Sequence, residues 1–344
     1  MKLLIQIPCY NEEQHLAETF ADLPREIPGI DQIEVLIVND GSTDKTVAVA
    51  KEIGVHHILS FTTNRGLSAA FMSGIDTCYR LGADIVVNFD GDNQYKGEDI
   101  CRLIRPLLES RADIVIGDRQ TNTIQSFSPM KKRLQYWGSK LVRGVSGMDV
   151  TDSTSGFRAL NRKAISKLFV HNNFTYTLET IIQAGNAGLS IENIKIETNS
   201  SKRKSRLFGS ISEYLRRNGL VIFRSYAMYS PMKVFGSLAA LFFASGVILC
   251  LRFLFYFISN PQVSSHIQSL QIGTGLVIIS FVIALLALLA DLSATNRRLM
   301  EDVLGRVRNI ESVIEQESVS RSVLELESTT AKSWDSDKAI DQRQ

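Results

Sequence analysis

Over residues 234–258, and again over 272–290, the chain is almost continuously apolar, with Arg252 as the only charge. At a rise of 1.5 Å per residue, a helix of either length crosses a hydrocarbon core of about 30 Å. Buried helices of soluble proteins rarely run so far without charge, so hydropathy predicts two transmembrane helices. The flanks orient them. Arg216, Arg217, Arg224 and Lys233 precede the first segment, and Arg297, Arg298, Arg306 and Arg308 follow the second. The loop at 259–271 has neither Lys nor Arg, so the positive-inside bias predicts a multi-pass membrane protein with both termini cytoplasmic. Arg252, near the outer end of its helix, reads as snorkelling to the interface. Residues 211–229 read as a basic amphipathic helix suited to an anionic leaflet, so membrane lipids are expected partners.

Before this region charged and apolar residues mix as in a soluble domain. Short β-branched runs (3–7, 34–38, 55–61, 85–88, 112–117, 191–196) alternate with amphipathic stretches, which predicts βαβ units and an α/β fold with a largely parallel sheet. Asn11 is a candidate cap for the first helix, which runs through Leu16, Phe20 and Leu23. The expected organisation is a soluble α/β domain at 1–208, juxtamembrane amphipathic helices at 209–233 and two transmembrane helices within 234–291. A cytosolic helix at 292–327 and a disordered tail at 328–344 complete it. In that helix Met300, Val303, Val307, Ile310 and Ile314 recur at 3-4-3-4 spacing, a coiled-coil seam that predicts a homo-oligomer.

The chemistry concentrates in loops after strands. Ile85-Val86-Val87-Asn88 delivers Asp90 and Asp92 just past its carboxyl end, with Gly91 between them and Gln94 beyond. Two carboxylates and a neutral oxygen suit a hard cation, Mg²⁺ or Mn²⁺, carrying phosphates. Glu12 follows the first strand, and Asp40 and Asp44 follow the second. In a doubly wound sheet these loops converge on one pocket. No Gly-x-Gly-x-x-Gly follows the first strand and no Gly-Lys-Ser/Thr occurs, which argues against dinucleotide and P-loop enzymes. The net charge of +2 says little about partners, and no nucleic-acid partner is expected. Four cysteines without paired spacing read as free thiols.

Taken together, Ile7-Pro8-Cys9-Tyr10-Asn11-Glu12, Val38-Asn39-Asp40-Gly41-Ser42-Thr43-Asp44, Asn64-Arg65-Gly66, Asp90-Gly91-Asp92 and Ser155-Gly156-Phe157-Arg158 resemble the signature set of family 2 glycosyltransferases with the GT-A fold. Their order and spacing are closest to the polyprenyl-phosphate branch, the dolichol-phosphate mannosyltransferases and GtrB-type glucosyltransferases. The resemblance spans about residues 3–230, and GtrB-type members also end in two transmembrane helices. It implies inverting transfer of a sugar from a nucleotide-diphosphate sugar donor to a polyprenyl phosphate acceptor. By the same resemblance Pro8, Tyr10, Glu12, Val38 and Asp40 match donor base and ribose positions, and Asp90, Gly91, Asp92 and Gln94 match the metal and diphosphate site. Arg119 and Arg133 match arginines that hold the acceptor phosphate, and Arg203 and Arg206 a basic segment closing over the donor. Asp152 is the candidate base or acceptor-orienting carboxylate, with Asp149 as its competitor. Two departures stand out: Tyr136 and Trp137 occupy the region where the family tends to place a phosphate-contacting Ser, and the Lys202–Leu207 segment differs from the closing segment of the mannosyl enzymes. The alternatives are a family 2 transferase acting on another lipid or polysaccharide, and a non-catalytic nucleotide-sugar-binding scaffold.

Overall fold

The structure is a computed structural model that describes residues 1–120, 138–140, 142–144, 146–170, 176–199, 219–220, 223–224, 226–259 and 267–341. It divides into two compact units, one comprising Met1–Lys204 with Asp302–Gln344 and the other Ser205–Glu301.

In the first unit the elements follow in the order β1 (Lys2–Cys9), α1 (Leu16–Ala21), β2 (Gln32–Asn39), α2 (Thr46–Glu52), β3 (His57–Ser60), α3 (Leu67–Arg80), β4 (Ile85–Asn88), α4 (Asp99–Leu108), β5 (Ile114–Asp118), β6 (Arg158–Asn161), α5 (Arg162–Lys167), α6 (Tyr176–Asn186) and β7 (Ile191–Lys195). The strands form one seven-stranded sheet ordered β3-β2-β1-β4-β6-β5-β7. β1 and β4 are buried along nearly their whole length, with Leu3, Leu4, Ile5, Ile7, Val86 and Val87 inaccessible. Such continuous apolar strands belong to a sheet covered on both faces, and each of these side chains contributes about 1.5–3 kcal/mol on burial. β1 pairs in parallel with both β2 and β4, so these three strands end on the same edge. From β1 the chain proceeds outward through β2 to β3, then returns to place β4 on the other side of β1. That reversal is where open α/β sheets bind ligands.

The α/β expectation holds, with an addition. β6 runs antiparallel between β4 and β5, pairing Asn88 with Arg158 and Ile116 with Arg158. It therefore starts at the edge where β4 ends. A second difference concerns Asn11, which does not cap α1. Its backbone is left-handed, at φ 56°, and its Oδ1 accepts from the Thr43 amide at 2.8 Å, tying the loop after β1 to the loop after β2.

The second unit contains α7 (Pro231–Ser259) and the first part of α8 (Ile267–Asp341). Both are long and apolar enough to cross a membrane, with mean hydropathy 2.3 and 2.8 over their most apolar stretches. They approach through small residues: a Cβ on Gly246 would come within 2.8 Å of the Gly273 carbonyl oxygen. Close approach through glycine is how helices associate where solvent gives no hydrophobic drive. Most of their large side chains, including Leu241, Phe255 and Leu285, face outward. Tyr229 is held by Arg297, which donates to its hydroxyl at 3.0 Å, and by Arg298, which donates to its carbonyl at 2.8 Å.

α8 continues through residues read from sequence as a separate helix and a disordered tail, reaching Asp341. The reason is local: beyond Gly305 the chain has no Gly or Pro to break the helix. The seam residues Met300, Val303, Val307, Ile310 and Ile314 are all exposed on it.

Candidate active site

Three loops meet at the carboxyl edge of β1, β2 and β4. The first, Tyr10 to Glu12, is fastened to the second by backbone-to-side-chain bonds: the Asn11 amide donates to Ser42 Oγ at 3.0 Å, and the Glu12 amide to Thr46 Oγ1 at 2.9 Å. Asp44 binds the Thr46 amide at 2.9 Å, so it supports the start of α2. Asp40 is buried and accepts from the Arg65 amide at 2.7 Å and the Gly66 amide at 3.0 Å. That carboxylate thereby folds the Asn64-Arg65-Gly66 turn over the edge, and Gly66 supplies the φ of 91° that the turn into α3 requires. Pro8 and Val38 are buried at the strand ends, Glu12 is buried above them, and Tyr10 is exposed. The loops converge around Cys9, whose thiol is pushed far up by burial and by the charges of Glu12, Asp44, Asp90 and Asp92.

The third loop carries Asp90, Gly91, Asp92 and Gln94. Gly91 is buried against the first strand, where a Cβ would lie 3.0 Å from Cys9 Sγ. The Gln94 amide donates to Asp92 Oδ1 at 3.3 Å, and the Gln94 carbonyl accepts from the Asn199 amide at 2.9 Å. Asp90 lies over Gly156, where a Cβ would come within 3.0 Å of its Oδ1. Burial first, and then the charge of Asp92, raise Asp90 to about 7. Two carboxylates this close, one forced toward its neutral form, fit a hard divalent cation that would neutralise both. Among the described residues no group of three or more His, Cys, Asp and Glu could hold a metal. Asp90 and Asp92, with Gln94, are residues that could hold such a cation together with phosphate oxygens and water.

Across from this pair Asp152 and Arg119 form a bidentate ion pair. Arg119 Nε donates to Asp152 Oδ2 at 2.7 Å, and Nη2 donates to Asp152 Oδ1 at 3.0 Å and to Thr154 Oγ1 at 2.8 Å. Burial alone would raise Asp152, but the charge and hydrogen bonds of Arg119 outweigh it and hold the carboxyl below the usual range. Asp149, by contrast, lies with 83% of its side chain exposed, 3.2 Å from Arg143 Nε. The geometry thus brings Asp152 into the cluster and leaves Asp149 on the surface. Arg133, Arg203 and Arg206 lie outside the described residues, as do Tyr136 and Trp137.

Residues 4–169 match the Glycosyl transferase family 2 domain. A protein of unassigned function from Methanocaldococcus jannaschii is 32% identical over 206 residues, covering 57% of this chain and 81% of its own. The chain belongs to glycosyl transferase family 2. Several of its relatives are named for sugar transfer to a polyprenyl phosphate. The polyprenol monophosphomannose synthase of Mycolicibacterium smegmatis is 27% identical over 57% of this chain and 76% of its own. The UDP-N-acetylglucosamine–dolichyl-phosphate N-acetylglucosaminyltransferase of Methanococcus voltae is 28% identical over 56% and 83%.

Within this family 2 domain several residues that shape the site were given no role by the sequence reading. Asn88, the last residue of β4, donates to the Gly156 carbonyl at 2.8 Å and to the Tyr176 hydroxyl at 3.0 Å, and accepts from Gln6 Nε2 at 2.9 Å. It links the loop bearing Asp152 to the strand bearing Asp90. The signal was an amide at the end of an otherwise apolar strand. Arg158 is fully buried and donates to the Ser155 carbonyl at 2.9 Å, the Ser153 carbonyl at 3.1 Å and Thr180 Oγ1. Burial lowers it to about 10, so it remains charged at neutral pH. Its three acceptors fix the turn between Asp152 and β6, which gives a structural reason for an arginine in Ser155-Gly156-Phe157-Arg158. Tyr95 packs against Phe157, with ring centroids 4.9 Å apart, and walls the back of the Asp90 site.

Proposed function

We propose that this protein transfers a sugar, with inversion, from a nucleotide-diphosphate sugar to a polyprenyl phosphate at the cytoplasmic face of a membrane. The observation that carries the reading is the juxtaposition, on one sheet edge, of the Asp90–Asp92 pair with the buried Arg119–Asp152 pair. Family membership and the names of the relatives support the reaction class. The two apolar helices and the basic residues flanking them support the location.

In this reading Glu12 and Asp40, with Pro8, Tyr10 and Val38, bind the donor's base and ribose. Asp90 and Asp92, with Gln94, would hold Mg²⁺ or Mn²⁺ beside the diphosphate, and Gly91 lets the backbone approach it. A bound divalent cation would supply Lewis-acid stabilisation of the departing diphosphate. The acceptor's phosphate oxygen forms a bond to the anomeric carbon as the bond from that carbon to the diphosphate oxygen breaks, and the diphosphate leaves with the electron pair. A phosphate monoester has a second pKa of about 6 and is already a nucleophile near neutrality, so no strong base is needed. This agrees with Asp152, whose low pKa makes it a poor proton acceptor. Asp152 instead fixes the fork of Arg119, which the resemblance assigns, with Arg133, to the acceptor phosphate. By the family resemblance Arg203 and Arg206 would bind the donor. The site's acids outnumber its described cations, so an anionic donor and an anionic acceptor meet there only with added positive charge. The exposed seam of α8 provides a surface for a homo-oligomer.

The test is transfer by the detergent-purified full chain with undecaprenyl phosphate, Mg²⁺ or Mn²⁺, and labelled UDP-glucose, UDP-N-acetylglucosamine and GDP-mannose in turn. Label in an acid-labile lipid, lost with EDTA, is expected from one donor. Metal-dependent binding of a donor without lipid labelling would overturn the acceptor assignment.

A further inference from the structure

The segment of α8 that begins at Asp302 belongs to the same compact unit as the sheet, and its contact with α3 and α5 centres on one arginine. Arg308 is only 14% exposed. Its guanidinium lies 4.1 Å from the centroid of Phe169, and its Nε is 3.2 Å from Asp76 Oδ1. Nη1 donates to the carbonyls of Ile165 at 3.2 Å and Leu168 at 3.1 Å. Those carbonyls stand at the end of α5, where the last turn of any helix lacks internal donors. Arg308 thus caps α5 from another helix.

The contact extends one turn to either side. Gly305 faces α5 so closely that a Cβ would sit 3.0 Å from the Ser166 carbonyl oxygen. Asn309 pairs with the Tyr79 hydroxyl, and Glu311 lies 3.9 Å from Arg80 Nη2. Asp76, Tyr79 and Arg80 are spaced to share one face of α3. An exposed ion pair contributes little, but a mostly buried arginine with a ring, a carboxylate and two carbonyls is different: its truncation takes the side-chain donor from both carbonyls and leaves Asp76 with Arg80 alone.

α3 carries this seat at one end and the site at the other. Its N-terminal turn presents the Arg65 and Gly66 amides to Asp40, and Phe71 stacks on Tyr176 with centroids 3.9 Å apart. We propose that Arg308 is a latch, a positioning residue that ties the catalytic unit to the helix carrying the second apolar segment and thereby holds the site in register for a membrane-embedded acceptor. This rests on the lipid-phosphate reading above. A tethered site meets an embedded acceptor as a near-intramolecular event, and loosening the tether costs encounter geometry without touching the donor pocket.

The test uses the full chain in phospholipid vesicles, as wild type, Arg308→Ala, Arg308→Lys and Asp76→Ala. Hydrogen exchange should quicken in Arg308→Ala at residues 302–311 and 162–169 but not around 88–95. Transfer to long-chain polyprenyl phosphate in the vesicle should lose on the order of tenfold in kcat/KM, with the donor KM unchanged. Transfer to a soluble short-chain polyprenyl phosphate should stay at the wild-type rate. Lysine, which lacks the planar fork, should fall between. Unchanged exchange at 302–311, or equal losses with both acceptors, would overturn the latch. Should Arg308→Ala fail to fold, Arg308→Lys and Asp76→Ala decide by the same two readouts. Absence of transfer by the wild type to either acceptor would count against the functional reading, while the exchange data would still decide the latch.

Discussion

The proton on the Asp90–Asp92 pair should be visible in stability. In the folded chain without metal Asp90 titrates near 7, raised by burial and by Asp92, whereas an unfolded aspartate titrates near 3.9. The folded state therefore binds the proton more tightly. The stabilisation is complete below the unfolded pKa, declines as pH rises through 4 to 7, and is gone above about 7. Three pKa units at 1.36 kcal/mol each set an upper bound of ~4 kcal/mol on the loss, which corresponds to a fall of roughly 10 °C in Tm for a domain of this size. The assay is thermal unfolding of the detergent-solubilised chain in EDTA from pH 5 to 8.5, beside Asp90→Asn. Histidines and other carboxylates titrate in both proteins, so the informative quantity is the difference between the two curves. That difference should grow with pH in favour of the variant, and saturating Mn²⁺ should restore the wild type above pH 7. Parallel curves would refute the argument that Asp90 is held near its neutral form.

Asp152→Asn removes the charge that fixes Arg119 and should lower kcat at least a hundredfold while leaving donor binding intact, as initial rates and calorimetric titration with the donor nucleotide diphosphate will tell. Asp40→Ala should do the reverse, freeing the Arg65 and Gly66 amides and weakening that nucleotide by about tenfold or more, a loss of at least ~1.4 kcal/mol. Gly156→Ala pushes a methyl against Asp90 and the Tyr176 hydroxyl, both 3.0 Å from the new Cβ. It should cost about 1–3 kcal/mol in denaturant titration.

What the sequence made legible was the part written in local pattern. The continuous apolar runs of β1 and β4, the periodicity of α3 and the two long apolar helices were each visible within their own segments. So were the acids, because each follows a strand directly. β6 was not visible. It has four residues, begins with an arginine and follows a run of turn formers, and its strand state comes from pairing with β4 and β5 on both sides. Asn11 was misread because its partner, Thr43, lies 32 residues away, and local propensity favours the cap. The choice of Asp152 over Asp149 likewise depends on Arg119, 33 residues back, and nothing between them signals the pairing. Residues 328–341 are helical here, and polar composition alone does not register that no Gly or Pro interrupts them.

The reversed direction of β6 has an evolutionary consequence. The residues from Pro8 through Gln94 that are proposed to bind the donor's base, ribose and diphosphate precede Gly97, whereas Arg119 and Asp152 sit within a later stretch that meets the first along the β4–β6 pairing, where Asn88 also binds Gly156. The residues proposed for the two halves of the reaction are thus encoded in successive blocks of the chain, joined through the sheet. A lineage that diversifies the stretch around Arg119 and Asp152 would alter the proposed acceptor side while keeping the loops after β1, β2 and β4 that are proposed to bind base, ribose and diphosphate.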